Sequence, residues 1–405
     1  MKYKINKKQN PTYLLPLIFV GIMFFAIGFA LGINSYLVPL LTNALHISSG
    51  QSYLVIAATF SAFLIFGYPA SMLIARIGYK KTMALSFLMF ALGFYLFIPS
   101  ASHGSLSLFL VASFISGMGN TFLQASVNPY ITILGPMESA AKRISIMGIC
   151  NKLAWPVSPI FLAAVIGKSV EQVQLIDIKL PFLIIIGVFV LLGALVLIAP
   201  LPEVKAVGEN EDAIADCPYA ANKTSIWQFP HLLLGCLALF LYVGVETLAL
   251  ATTVDYATSL GFANPQDYAI YPSIGLVTGY ICGILFIPKY LRQETALKIC
   301  AWLAVIGSLL IVLSPPQISI WFVAVIALAC SLMWPALWPL AMTDLGRFTK
   351  TGSSLLVIAI VGGAVIPAIF GLLKDSIGAQ NAYWLCVPCF LYVLYYAMFG
   401  YKVRK

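Results

Sequence analysis

Charged side chains are scarce in this chain. Asp, Glu, Lys and Arg make up 9% of 405 residues, against 61% hydrophobic residues and a mean hydropathy of +0.96. Polar groups could not clothe a water-facing surface from that supply, so a soluble fold is excluded. Histidine is scarcer still. His46, His103 and His231 stand far apart near the ends of apolar runs, where a place at the membrane interface is expected rather than metal ligation. Cys150, Cys236, Cys282, Cys300, Cys330, Cys386 and Cys389 fall inside apolar runs and Cys217 in a polar segment, so neither a disulfide framework nor a metal site is expected. The sparse acids and scattered histidines offer no clustered carboxylates, no His/Asp metal set and no nucleophile with its base, which argues against a membrane-embedded enzyme. No span carries a ring-forming filter or a repeated charge, which disfavours a channel.

What the chain has is length in apolar runs. Runs of 18 to 30 residues recur throughout, each able to cross a hydrocarbon core about 30 Å thick, and far too long for the strands of an outer-membrane barrel. Twelve spans are expected, at roughly 12–42, 50–74, 82–99, 105–133, 144–166, 180–200, 229–260, 266–288, 295–313, 318–343, 351–373 and 380–400. The first has no cleavage site after a short apolar core and reads as a retained helix, not a signal peptide. With twelve spans, 19 of the 23 Lys and Arg residues fall on one side, Lys168, Lys179 and Lys374 on the other, and Lys152 inside a span. Spread over alternate loops, the net charge of +9 describes topology, not a nucleic-acid surface. The positive-inside rule puts both termini in the cytoplasm of a multi-pass inner-membrane protein.

The one long hydrophilic stretch, 201–228, holds Glu203, Glu209, Glu211, Asp212 and Asp216 and reads as a cytoplasmic linker. It divides the chain into two bundles of six spans, 1–200 and 229–405. The halves echo each other. Leu134-Gly135, a loop with Lys142 and Arg143, and Pro156 in one match Leu345-Gly346, a loop with Arg347 and Lys350, and Pro367 in the other; Gly to Pro is 21 residues in both. Two parallel six-helix repeats around a central site are expected. Gly28, Gly32, Pro129, Pro156, Pro159, Gly362 and Gly363 lie in the spans, where they serve close packing and kinking or let helices bend as the halves move.

Four segments carry a family resemblance. Arg76-Ile77-Gly78-Tyr79-Lys80-Lys81 resembles the signature loop of the major facilitator superfamily, with Ala75 where an aspartate is usual, so the charge relay ascribed to that loop lacks its acid here. The run from Ser126-Val127-Asn128-Pro129-Tyr130 to Leu134-Gly135-Pro136 is similar to the fourth-span signature of the fucose:proton symporter branch, which includes glucose/galactose transporters. Leu241 to Glu246, and Thr349 to Ser354 with Ile360 to Ala364, extend the likeness, and Ser331 to Pro335 leans towards the hexose side. The resemblance implies an all-α integral membrane fold of twelve helices with alternating access. Two carboxylates of the fucose symporters are replaced: their first-helix Asn-Asp reads Asn34-Ser35, and the glutamate before Asn-Pro is Gln124.

A sugar needs amides or carboxylates for its hydroxyls and an aromatic ring for its C–H face. Asn34, Gln124, Asn128 and Asn151 supply amides from three helices of the first half, or else bond helix to helix. The acids deepest in apolar spans are Glu246 and Asp255, with Asp344 near the end of span ten. Lys152 either snorkels towards the nearby basic loop or faces the cavity, where it would bond sugar hydroxyls or pair with Glu246 across the halves. Trp155, Trp334 and Trp338 sit at mid-span depth or near kinks; Trp334-Pro335 and Trp338-Pro339 are expected to break helix ten twice and to present a ring to the sugar, or to fill a packing gap.

The expected protein is a secondary transporter of a hexose-type monosaccharide, glucose/galactose or fucose-like. Coupling to H+ or Na+ would run through Glu246, Asp255 or Lys152. The alternatives are a uniporter of another small polar solute and a non-catalytic membrane sugar sensor. The expected partners are the sugar and the lipid bilayer, with no nucleic acid and no cofactor, and the chain acting as a monomer.

Overall fold

The computed structural model describes residues 14–47, 49–167, 173–202, 204 and 217–403. Lys2 to Lys8, Lys168, Arg404, Lys405 and residues 203 and 205–216 of the expected linker, with its five acids, lie outside the described residues.

A chain this apolar has no water to satisfy its backbone, so each run closes its hydrogen bonds internally as a helix. Among the described residues eleven helices are long and apolar enough to cross a membrane. One of them, Leu54–His103, is 50 residues long, about 75 Å at 1.5 Å per residue and more than twice the hydrocarbon thickness. It holds two spans. The division falls at Gly78, whose φ of 82° and ψ of 170° lie outside the helical region and in backbone space that only glycine adopts readily. The spans are therefore twelve: α1 (Leu14–Leu45), α2 (49–77), α3 (79–103), α4 (Leu106–Ile133), α5 (Ala140–Ile166), α6 (Lys179–Ile198), α7 (Pro230–Ala251), α8 (Ile270–Phe286), α9 (Gln293–Leu313), α10 (Pro316–Met342), α11 (Gly346–Ile377) and α12 (Ala379–Lys402).

α10 is broken once, not twice. Pro316–Cys330 gives way at Ser331 and Leu332 to Met333–Met342. Pro335 sits in the first turn of the second piece, where a missing N–H costs nothing, while Pro339 is carried inside that piece without ending it. α11 likewise divides into Thr349–Ala359 and Gly362–Ile377.

The two sets of six helices meet in a crossed pattern: α5 packs on α8 and α10, while α11 packs on α2 and α4. The fifth helix of each half thus lies against the second and fourth of the other, as two related halves facing each other require. The paired glycines Gly135 and Gly346 share a positive φ, at 150° and 51°, though in different parts of that region. His231, expected at the interface, is instead buried, and its Nε2–H donates to Thr343 O at 2.9 Å, tying the start of α7 to the end of α10.

Candidate functional site

Between the two halves lies a cavity of about 330 Å³, within the size range of small-molecule sites. Helices of both halves wall it. Gln124, Asn151, Lys152 and Trp155 face it from α4 and α5; Tyr242, Glu246, Thr247, Tyr280 and Trp334 face it from α7, α8 and α10, with Phe24, Ile27, Leu31, Phe60 and Leu250 making its apolar surface.

The α5 side is set by close helix packing. A Cβ on Gly28 would stand 2.0 Å from the Asn151 carbonyl oxygen, so only glycine lets α1 and α5 approach this near. At that contact the Asn151 amide donates to Phe24 O at 3.1 Å, which fixes its side chain at the cavity wall. Lys152 follows directly. It does not snorkel: Nζ lies 3.3 Å from Glu246 Oε1, an ion pair between α5 and α7 whose side chains are 15% and 10% exposed. The pair sits about 18 Å along α5 and about 24 Å along α7 from their starts, at membrane depth. At that depth each charge is tolerable because the other is present. The phenols of Tyr242 and Tyr280 and the thiol of Cys330 lie within the field of the Glu246 carboxylate.

The other expected site residues divide by position. Gln124 faces the cavity with its amide donating to Asn120 Oδ1 at 3.0 Å. Trp334 lines the cavity and stacks on Trp338, ring centroids 5.2 Å apart and planes 28° from parallel. Trp338 itself is fully buried behind it. Asn34 is turned into the first half, donating to Thr59 Oγ1 at 2.9 Å, and Asn128 donates to Gln124 O at 2.9 Å within α4; neither lines the cavity. Asp255 lies past the end of α7 in the helix Thr253–Ser259, half exposed and paired with Lys374, away from the cavity. Tyr242, Thr247 and Tyr280 are cavity residues that the sequence did not single out; Tyr242 and Thr247 flank Glu246 within a turn.

The cavity is shut towards the side of the basic loops. There the Tyr280 ring lies on Gly148, Ser145 packs on Gly283, and Ser353 Oγ of α11 donates to Ala125 O of α4 at 3.3 Å. Closer still to the loops, Lys350 Nζ stands 5.9 Å from the centroid of the buried Tyr79 ring. Towards the opposite face the lining continues to Val38, Ile56 and Ala251.

The sequence pattern of the Major Facilitator Superfamily matches residues 19–361. The glucose/galactose transporter of Brucella abortus is 33% identical over 97% of this chain and 96% of its own length. The L-fucose-proton symporter of Escherichia coli is 24% identical over 96% of this chain and 94% of its own. Among solved structures, the transporter FucP in an outward conformation superposes with a TM-score of 0.81 at 23% identity, over 96% of this chain and 99% of that one.

Proposed function

This chain belongs to the major facilitator superfamily, and we propose that it carries a hexose-type monosaccharide, glucose or galactose in the first place, into the cell by cation-coupled alternating access. The observation that carries the reading is the cavity between the halves. It offers amides, a cation and a carboxylate for hydroxyls, and the rings of Trp155, Trp334, Tyr242 and Tyr280 for an apolar sugar face. The names of the Brucella relative and of the E. coli symporter support a monosaccharide as the solute.

In this reading residues 1–200 and 229–405 are the moving bundles, 201–228 is the link between them, and the basic loops with both termini lie in the cytoplasm of an inner-membrane protein. The closed contacts at Gly148 and Tyr79 then form the cytoplasmic gate, and the cavity is loaded from outside. Uptake of labelled glucose, galactose, fucose and N-acetylglucosamine into proteoliposomes, with proton and sodium gradients imposed separately, tests it. Glucose or galactose should exchange, and accumulate under one of the gradients. If no sugar exchanges or accumulates under any gradient, the hexose assignment fails.

A further inference from the structure

The geometry points to Glu246 as the proton site of the transport cycle, with Lys152 as the switch that ties its proton to the sugar; this rests on the hexose reading above. Both residues line the cavity, and they join the two halves that must move relative to each other. The first half has no acid within its spans, and Glu246 is the one carboxylate among the residues lining the cavity.

With Glu246 ionised, the pair is closed on itself. A sugar hydroxyl then has to displace a charge-assisted contact between two largely buried side chains, so binding of sugar alone is weak. A proton from the outer medium adds to the carboxylate, forms an O–H bond and leaves the pair with a net charge of +1. Lys152 keeps its three N–H donors and loses its anion. Without sugar that state holds an unpaired cation at membrane depth, which is costly, so binding of the proton alone is weak too. A hexose resolves the conflict, because its hydroxyl oxygens accept from the ammonium and the protonated carboxyl donates to another hydroxyl. Proton and sugar therefore favour each other's binding, reciprocally. The forms that cross cheaply are empty with the pair closed, and doubly loaded. On the inner face the sugar leaves, the carboxyl returns its proton, and the ion pair closes again. One neutral sugar, one proton and one positive charge move per cycle.

No other formal charge among the cavity residues confuses this exchange. Around Glu246 stand Tyr242 from its own helix, Tyr280 of α8, Cys330 of α10 and Lys152 of α5. α11 meets α7 through Gly362 and Ile366, and α12 through Tyr396 near Gly235. α1, α2 and α4 contribute Ile27, Phe60 and Gln124 to the cavity.

The test uses the full chain in proteoliposomes with D-glucose and D-galactose. Counterflow of labelled sugar with no ion gradient comes first, and its absence would count against the hexose reading itself. Where counterflow is present, adding sugar outside should make the outer medium alkaline and drive an inward positive current. Counterflow with neither signal overturns the proton site and leaves the transport function standing. Glu246→Gln should lose both signals, and Glu246→Asp should regain part of them; sugar-evoked alkalinisation that persists in Glu246→Gln overturns the assignment. Since Glu246→Gln leaves a lone buried lysine and could misfold, Lys152→Gln/Glu246→Gln, which has no unpaired charge, is the second variant. It should show counterflow at a reduced rate with no proton movement, and proton movement in it would equally sink the proposal.

Discussion

The ring of Tyr280 rests on the α-carbon of Gly148, so closely that a Cβ there would come within 2.6 Å of Cε1. α5 of one half and α8 of the other meet at this point, on the basic side of the cavity. A side chain at 148 therefore meets the ring from the other half first and opposes closure of that side. Gly148→Val should make the closed gate less favourable by about 1–3 kcal/mol, the ordinary penalty for overpacking, and lower steady-state uptake roughly tenfold or more. Faster labelling of Ser145→Cys by an impermeant thiol reagent from the cytoplasmic side should accompany the loss. Unchanged labelling would mean that Gly148 is not at the gate.

Lys152→Ala removes the cation from a buried carboxylate. Breaking such a pair on one side costs about 3–5 kcal/mol, more than a closed surface contact would. Hexose uptake should fall below a tenth of the wild-type rate with the protein still present in the membrane at normal level. Full transport would remove Lys152 from the cavity's working residues.

Arg143 closes the basic end of α4. Its guanidinium donates to Ile131 O at 3.0 Å and Thr132 O at 2.8 Å, taking up carbonyls that the helix end leaves without partners, and to Pro136 O at 2.9 Å in the loop that follows. A lysine offers a point charge where this site needs a fork. Arg143→Ala should destabilise by about 2–4 kcal/mol, since each orphaned buried acceptor costs about 1–3 kcal/mol. Arg143→Lys should recover only part of that in a thermal denaturation of the detergent-solubilised chain.

The signature loop after α2 lacks its acid, Ala75 standing in that place, yet the loop still reaches the other half. Lys350, at the start of α11, lies over the ring of Tyr79. A partly desolvated cation–π contact is worth about 1 kcal/mol. Tyr79→Leu should shift the balance away from the gate-closed state about fivefold, readable by the same Ser145→Cys labelling, with sugar affinity in the closed-gate state unchanged.

Much of this architecture could be read from the residues alone, for identifiable reasons. Span number followed from run length, even where α2 and α3 continue through one helical stretch, because Gly78 and the basic residues beside it mark a crossing of the interface. Lys152 and Glu246 stood out because a charge in an apolar run needs a partner. The amides were harder. Burial inside an apolar run is encoded by composition, but the face a residue presents is not, since helices inside a bundle are apolar all round; Asn34 and Asn128 are buried like Gln124 yet bond within their own half. Tyr242 and Tyr280 were invisible for the same reason, being two of 20 tyrosines with no distinguishing pattern. The single break in α10 depended on which of two prolines falls in the first turn of a new helix, a matter of packing that sequence spacing alone does not fix.

The stacked pair Trp334 and Trp338 separates binding from packing on one helix. Trp334 borders the cavity, and Trp338 supports it from a fully buried position one turn away. Trp334→Ala takes away a surface the sugar would lie against while leaving the ring behind it in place, so KM should rise about tenfold, ~1.4 kcal/mol, with a small change in thermal stability. Trp338→Ala opens a cavity in the packed interior and should lower stability by about 3–5 kcal/mol. Its effect on transport passes through Trp334, which loses its backing, so Trp338→Phe, keeping an aromatic ring there, should restore most of the affinity and most of the stability. Equilibrium binding of glucose, followed alongside thermal denaturation for all three variants, checks the division. If Trp334→Ala leaves affinity unchanged while Trp338→Ala alone reduces it, the sugar does not lie on Trp334, and the aromatic face of the site has to be sought at Trp155 or Tyr280 instead.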